Sequence, residues 1–192
     1  MIHDMVGKLL IATPTIQEGL FKNSVILLCH HDDDGSMGLI VNRSQHINVF
    51  DVLDDMGFCQ DPMGRGLAQM KFEDKFVFEG GPVDPYRGFV LHEADEVYES
   101  TMHINDTLHL TASKDVLEQL AVGNGPNRFL LVLGYAGWGA GQLEDELIGN
   151  DWLIAHANNE LVFEAPAENR WALAAKDIGF ERAQLVGQIG HA

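Results

Sequence analysis

Positive charge is what this chain has least of. Its 192 residues carry 12 Lys and Arg against 29 Asp and Glu, a formal net charge of −17 with histidine neutral. The twelve bases are scattered and no two are adjacent, so no basic stripe meets a phosphate backbone or an anionic membrane. Direct nucleic-acid binding and membrane association are not expected. Cysteine is also scarce. Cys29 and Cys59 are the only two, too few for a disulfide framework, and Cys29 reads as a buried structural thiol within an apolar run. Long hydrophobic stretches are missing: Val25–Cys29 and Phe129–Leu133 are far too short to span a bilayer. The start Met1-Ile2-His3-Asp4-Met5 lacks the positive charge and apolar run of a signal peptide. The expectation is a soluble, cytoplasmic protein.

Catalytic and metal signatures are absent too. With Gly35 as the sixth position of an EF-hand loop, His30 falls at the first and Val41 at the last, where carboxylates are required. His92-Glu93 begins like a zincin helix, but Glu96 stands where the second histidine belongs. Ser36 lacks the glycine flanks of a nucleophile elbow. No metal, no cofactor and no catalytic residue is assigned.

What is present is a globular composition, 46% hydrophobic and 21% charged. The length suits a single domain over 1–192, with 180–192 as a candidate flexible tail. Short apolar runs predict strands at Lys8–Ala12, Ser24–His31, Met37–Asn42, Phe76–Phe78, Gly88–His92, Leu108–Thr111, Arg128–Gly134, Trp152–His156 and Glu160–Phe163. Two hairpins are expected, one through Asp34-Gly35 and one through Asn158-Asn159. Helical spacing marks Val49–Met56 behind Asn48, the segment after Ser113, Gln142–Ile148, and Trp171–Ile178. Gln60–Gln69, with Pro62, Gly64 and Gly66, reads as a loop. Strands in hairpins without regular helix alternation indicate an α+β fold.

Two glycine segments carry the most information. Gly134-Tyr135-Ala136-Gly137-Trp138-Gly139-Ala140-Gly141 follows an apolar strand and precedes a short helix. It matches neither phosphate-binding glycine pattern, and the helix behind it opens with Glu144, Asp145 and Glu146. No Lys or Arg occurs from Phe129 to Asn169. A structural glycine turn and a ligand-contacting loop both fit these residues. Glu79-Gly80-Gly81-Pro82-Val83 is a turn by chemistry and holds no nucleophile.

Several blocks together resemble the YqgE/AlgH family of bacterial proteins. They are Gly7-Lys8-Leu9-Leu10-Ile11-Ala12-Thr13-Pro14, Phe21 to Leu28, Gly38-Leu39-Ile40-Val41-Asn42, Gly80-Gly81-Pro82-Val83, Leu133 to Gly139 with Gln142-Leu143-Glu144, and Asn150-Asp151-Trp152-Leu153. The resemblance covers roughly residues 5–180 and implies a compact α+β domain whose mainly antiparallel sheet is strongly bent, barrel-like and flanked by helices. Members of that family often bear the label of transcriptional regulator. Set against the charge, that label points to an indirect effect on expression through a protein or small-ligand contact.

The functional expectation is therefore a cytoplasmic binding or regulatory protein. Its site would be built from Gly80, Gly81 and Pro82, from Gly134, Tyr135, Gly137, Trp138 and Gly139, and from Gln142 and Glu144 behind them. Its partner would be a neutral or cationic small molecule, or a protein. An enzyme using Glu144 or Glu146 as general base and a transcriptional regulator remain the alternatives.

Overall fold

The structure, a computed structural model, describes residues 4–180, so the expected tail lies almost entirely outside the described residues. In chain order the elements are β1 (Lys8–Ala12), β2 (Val25–Asp32), β3 (Gly35–Ile40), β4 (Ser44–Asn48), α1 (Val49–Asp55), α2 (Pro62–Lys71), β5 (Phe76–Glu79), β6 (Val83–Glu93), β7 (Thr101–Asn105), β8 (Leu108–Thr111), α3 (Lys114–Ala121), β9 (Phe129–Gly139), α4 (Gln142–Ile148), β10 (Trp152–His156) and α5 (Arg170–Asp177). A π-helical turn at Glu160–Glu164 and a short 3-10 turn at Ala167–Asn169 precede α5. The strands form one curled, mainly antiparallel sheet in the order β10-β1-β2-β3-β9-β6-β8-β7, with β5 and β4 attached beside β9. This is the α+β fold that the residue pattern indicates, curled into the half-barrel that the family resemblance implies.

The apolar runs are continuous because the sheet is covered on both faces. Along β2, Val25, Leu27 and Cys29 point into the main core, while Ile26 and Leu28 enter a second core with α4 residue Leu143. α5 closes the main core through Ala174. α1 and α3 pack with Val77, Val90, Phe129 and Leu131 in a third cluster.

Four expectations change. Gln60–Gln69 is mostly helix, because Asp61 caps α2 through a 2.6 Å bond from Gly64 N–H and Pro62 sits at the first turn, where its missing N–H costs nothing. Glu160–Phe163 is not a strand. Asn158 Oδ1 accepts from Leu161 N–H at 2.8 Å and starts a helical turn there, so β10 pairs with β1 instead of forming the second expected hairpin. Residues 134–139 are not a loop but the continuation of β9, hydrogen-bonded to β3 from Gly35–Gly139 to Gly38–Ala136. β4 and β7 are additional strands, and both have largely exposed, polar-rich sequences that hide them from a search for apolar runs.

Candidate functional site

The two glycine segments meet. β5 runs parallel to β9 on one side, β6 runs antiparallel to it on the other, and residues 80–82 step across β9 to join them. The crossing is backbone on backbone. A Cβ at Gly81 would stand 2.1 Å from the Tyr135 carbonyl carbon, one at Gly80 would stand 2.3 Å from Gly134 O, and one at Gly134 would stand 2.5 Å from Gly81 O. Gly80 also completes the sheet, its N–H donating to Leu133 O (2.8 Å) and its carbonyl accepting from Ile40 N–H (2.9 Å).

Gly134 does more than make room. Its φ of 75° lies in the left-handed region and shifts the alternation of β9 by one residue. Before it, Leu130 and Val132 face the main core; after it, Ala136 and Trp138 face the core under α4.

That shift places Trp138 in a polar knot. Glu146 Oε2 accepts from Trp138 Nε1 (2.9 Å) and Trp152 Nε1 (2.7 Å), and Oε1 accepts from Gln142 Nε2 (3.0 Å). Gln142 Oε1 accepts from Gly139 N–H (3.0 Å). The two indoles meet edge to face at 6.1 Å. Glu144 lies 3.6 Å from Nε2 of His31, a buried ring whose Nδ1 is 2.7 Å from the Ser36 hydroxyl. Of the expected site residues, Gly80, Gly81, Gly134 and Trp138 are buried, Tyr135 and Glu144 are half-buried, and Pro82, Gly137, Gly139 and Gln142 are exposed. None of the described cavities is lined by any of them.

A second polar cluster was not legible in the sequence. His92 is fully buried; Nδ1–H donates to Glu93 O (2.8 Å), leaving Nε2 to accept from Thr111 Oγ1 (2.8 Å), which in turn pairs with Thr101 Oγ1 (2.8 Å). Burial pushes the His92 pKa down, so the ring is neutral and its hydrogen bonds are all used. His109 is also buried, in T-shaped contact with His92, whereas His103 is exposed. Cys29 is buried with its thiol pushed up to about 12 by desolvation, which makes it unreactive. Among the described residues, no group of three or more His, Cys, Asp or Glu is placed to hold a metal ion.

The outer face of α2 carries an exposed apolar stripe. Met63, Leu67 and Met70, at i, i+4 and i+7, are 78%, 54% and 78% exposed. The inner face buries only Gly64 and Ala68. Arg65 fixes the helix against α1 by pairing with Asp54 and lying over the Phe50 ring at 5.2 Å. Around the helix, Asp51, Asp55, Asp61, Glu73 and Asp74 are exposed, and no described base lies within 4.0 Å of their carboxylates.

Comparison with known proteins gives a consistent answer. The family described as AlgH-like matches residues 9–183. A UPF0301 protein of Cupriavidus metallidurans is 43% identical over 189 residues, 98% of this chain and 96% of the relative. One from Methylococcus capsulatus is 42% identical over 97% of this chain and 96% of its own length. The solution structure of the AlgH protein from Pseudomonas aeruginosa superposes with a TM-score of 0.77 at 37% identity, covering 98% of this chain and 96% of that one. A crystal structure from Corynebacterium diphtheriae shares the fold, with a TM-score of 0.65 at 20% identity over 88% of this chain and 85% of its own.

Proposed function

The chain belongs to the AlgH-like family, and on that premise we propose that it is a regulatory binding protein that holds a basic amphipathic helix of a partner protein against the outer face of α2. The observation that carries this reading is the exposed Met63-Leu67-Met70 stripe. Methionine side chains are flexible and polarisable and suit adaptable docking surfaces, and an i, i+4, i+7 stripe is the geometry by which one helix receives another. The exposed carboxylates around it supply the charge preference, and basic residues on the partner would complement them. Such contact would give an indirect route to regulation without DNA binding by a chain at −17.

Against an enzyme with Glu146 as general base, three donors already occupy that carboxylate. Against a ligand pocket at Gly80, Gly81 and Gly134, the strand crossing alone accounts for those glycines.

Titration calorimetry with a synthetic helix bearing lysine on one face and leucine on the other tests the reading. The combined Met63→Ser, Leu67→Ser and Met70→Ser variant is expected to bind at least about tenfold more weakly, a loss of about 1.4 kcal/mol. Ile148→Ser, at an apolar position 80% exposed on α4, should leave binding unchanged. Equal loss in both variants, or none in the α2 variant, overturns the assignment.

A further inference from the structure

A cleft of about 480 Å³ opens between β5, the start of β9 and the turns that lead into α5. Its floor is aromatic, with Phe78, Phe129 and Phe163 buried and Phe76 half out of the protein. Two cations line it, and each stands over a ring: the Arg170 guanidinium 5.0 Å from the Phe78 centroid and Lys75 Nζ 5.8 Å from that of Phe129. Arg170 is the unusual one. It is only 4% exposed, and no described carboxylate lies within 4.0 Å of it. Nε donates to Ala165 O (3.0 Å) and Nη1 to Val41 O (2.6 Å), while Nη2 has no acceptor among the described residues. Burial draws its pKa down to about 10, still far enough above neutrality to keep the charge. A buried cation with no described carboxylate in direct contact is costly, and the stacked ring and the more distant Glu168 offset part of that cost.

We propose that this cleft binds a small organic monocarboxylate with an apolar body, its carboxylate on Arg170 Nη2 and its body against the phenylalanines. The cleft volume is within the range of small-molecule sites, about 300–1,000 Å³. The number of charges selects the class. Asp74, Glu164 and Glu168 also line the cleft, and of these Glu164 is held by Arg128 Nε at 2.9 Å. The remaining two carboxylates offset the two cations, so the lining lacks the surplus positive charge that holds a phosphate dianion, and a single carboxylate paired with Arg170 is the anion it suits. The apolar floor adds affinity for a hydrocarbon or aryl group. The site shares Asp74 with the acidic surround of α2 but none of the Met63-Leu67-Met70 stripe, so it is tested independently of the protein contact proposed above.

Phenylacetate, its neutral amide and inorganic phosphate are the probes, titrated into the full chain by calorimetry. Phenylacetate should bind, the amide should bind at least about tenfold more weakly, and phosphate should not displace phenylacetate. Arg170→Gln should abolish binding. Since Arg170 also ties Val41 to Ala165, that variant is paired with Lys75→Gln and Phe76→Ser, which are expected to weaken binding severalfold at an unchanged melting temperature. The proposal is overturned if phenylacetate does not bind the folded protein, if the amide binds as tightly, if phosphate displaces phenylacetate, or if Lys75→Gln and Phe76→Ser bind as well as the parent.

Discussion

Gly81 and Gly66 show how differently one residue type is held. A methyl group at Gly81 would fall inside the backbone of Tyr135, and neither chain segment can move without breaking the strand crossing. Gly81→Ala is expected to cost about 3 kcal/mol or prevent folding. Gly66 is exposed within α2 and has nothing within 4 Å of its Cβ position, so Gly66→Ala should stabilise by about 0.5–1 kcal/mol. Urea unfolding of the pair checks both signs, and equal effects would refute the packing argument. His92 makes a pH-dependent contribution. Desolvation lowers its pKa, His109 lowers it further, and the Glu93 carbonyl with Asp95 and Glu96 oppose the shift. An unfolded histidine takes a proton below about pH 6.5, where native His92 resists it. The stability it contributes is therefore complete above that pH and is lost as pH falls towards the native pKa. Unfolding free energy should fall between about pH 7.5 and about pH 5.5, and less steeply in His92→Gln. An identical slope in the variant would assign the dependence to other groups.

Among the elements, α4 is short and has no side-chain cap, so its position rests on what it touches. Leu143 fills the core beneath it, and Glu146 ties two indoles from β9 and β10. Glu146→Leu would strand two half-buried indole N–H groups and is expected to cost about 2 kcal/mol, whereas Glu146→Gln keeps an acceptor and should cost about half as much. Thermal unfolding followed by tryptophan fluorescence reads both; a Leu variant no less stable than the Gln variant would show that the knot contributes little. α2 illustrates why some elements escape a search by hydrophobic period. Its inner face is Gly64 and Ala68 and its apolar stripe points outward, the reverse of the usual pattern, while Pro62, Gly64 and Gly66 read as loop signals. The other helices bury their stripes and could be read directly, with Asn48 capping α1 through a 2.8 Å bond from Phe50 N–H as its position suggested.

For the molecule as a whole, 29 carboxylates face 12 bases, so the folded state carries net self-repulsion. Raising salt from about 10 mM to about 150 mM shortens the Debye length from about 30 Å to about 8 Å, and the melting temperature should rise by a few degrees. A fall would mean that the few ion pairs outweigh the repulsion. Composition, periodicity and turn residues alone determined that the chain folds as α+β, where most strands and helices begin, and which partners its charge disfavours, because these depend on local pattern and on sums over residues. Tertiary structure decided the rest. That residues 80–82 cross β9 at Gly134, that Trp138 lies under α4, and that Arg170 is buried with no described carboxylate within 4.0 Å are matters of which distant segments meet. Spacing along the chain carries no record of such encounters, since a glycine that gives room to a ligand and one that gives room to another backbone are the same residue until the fold brings its neighbour to it.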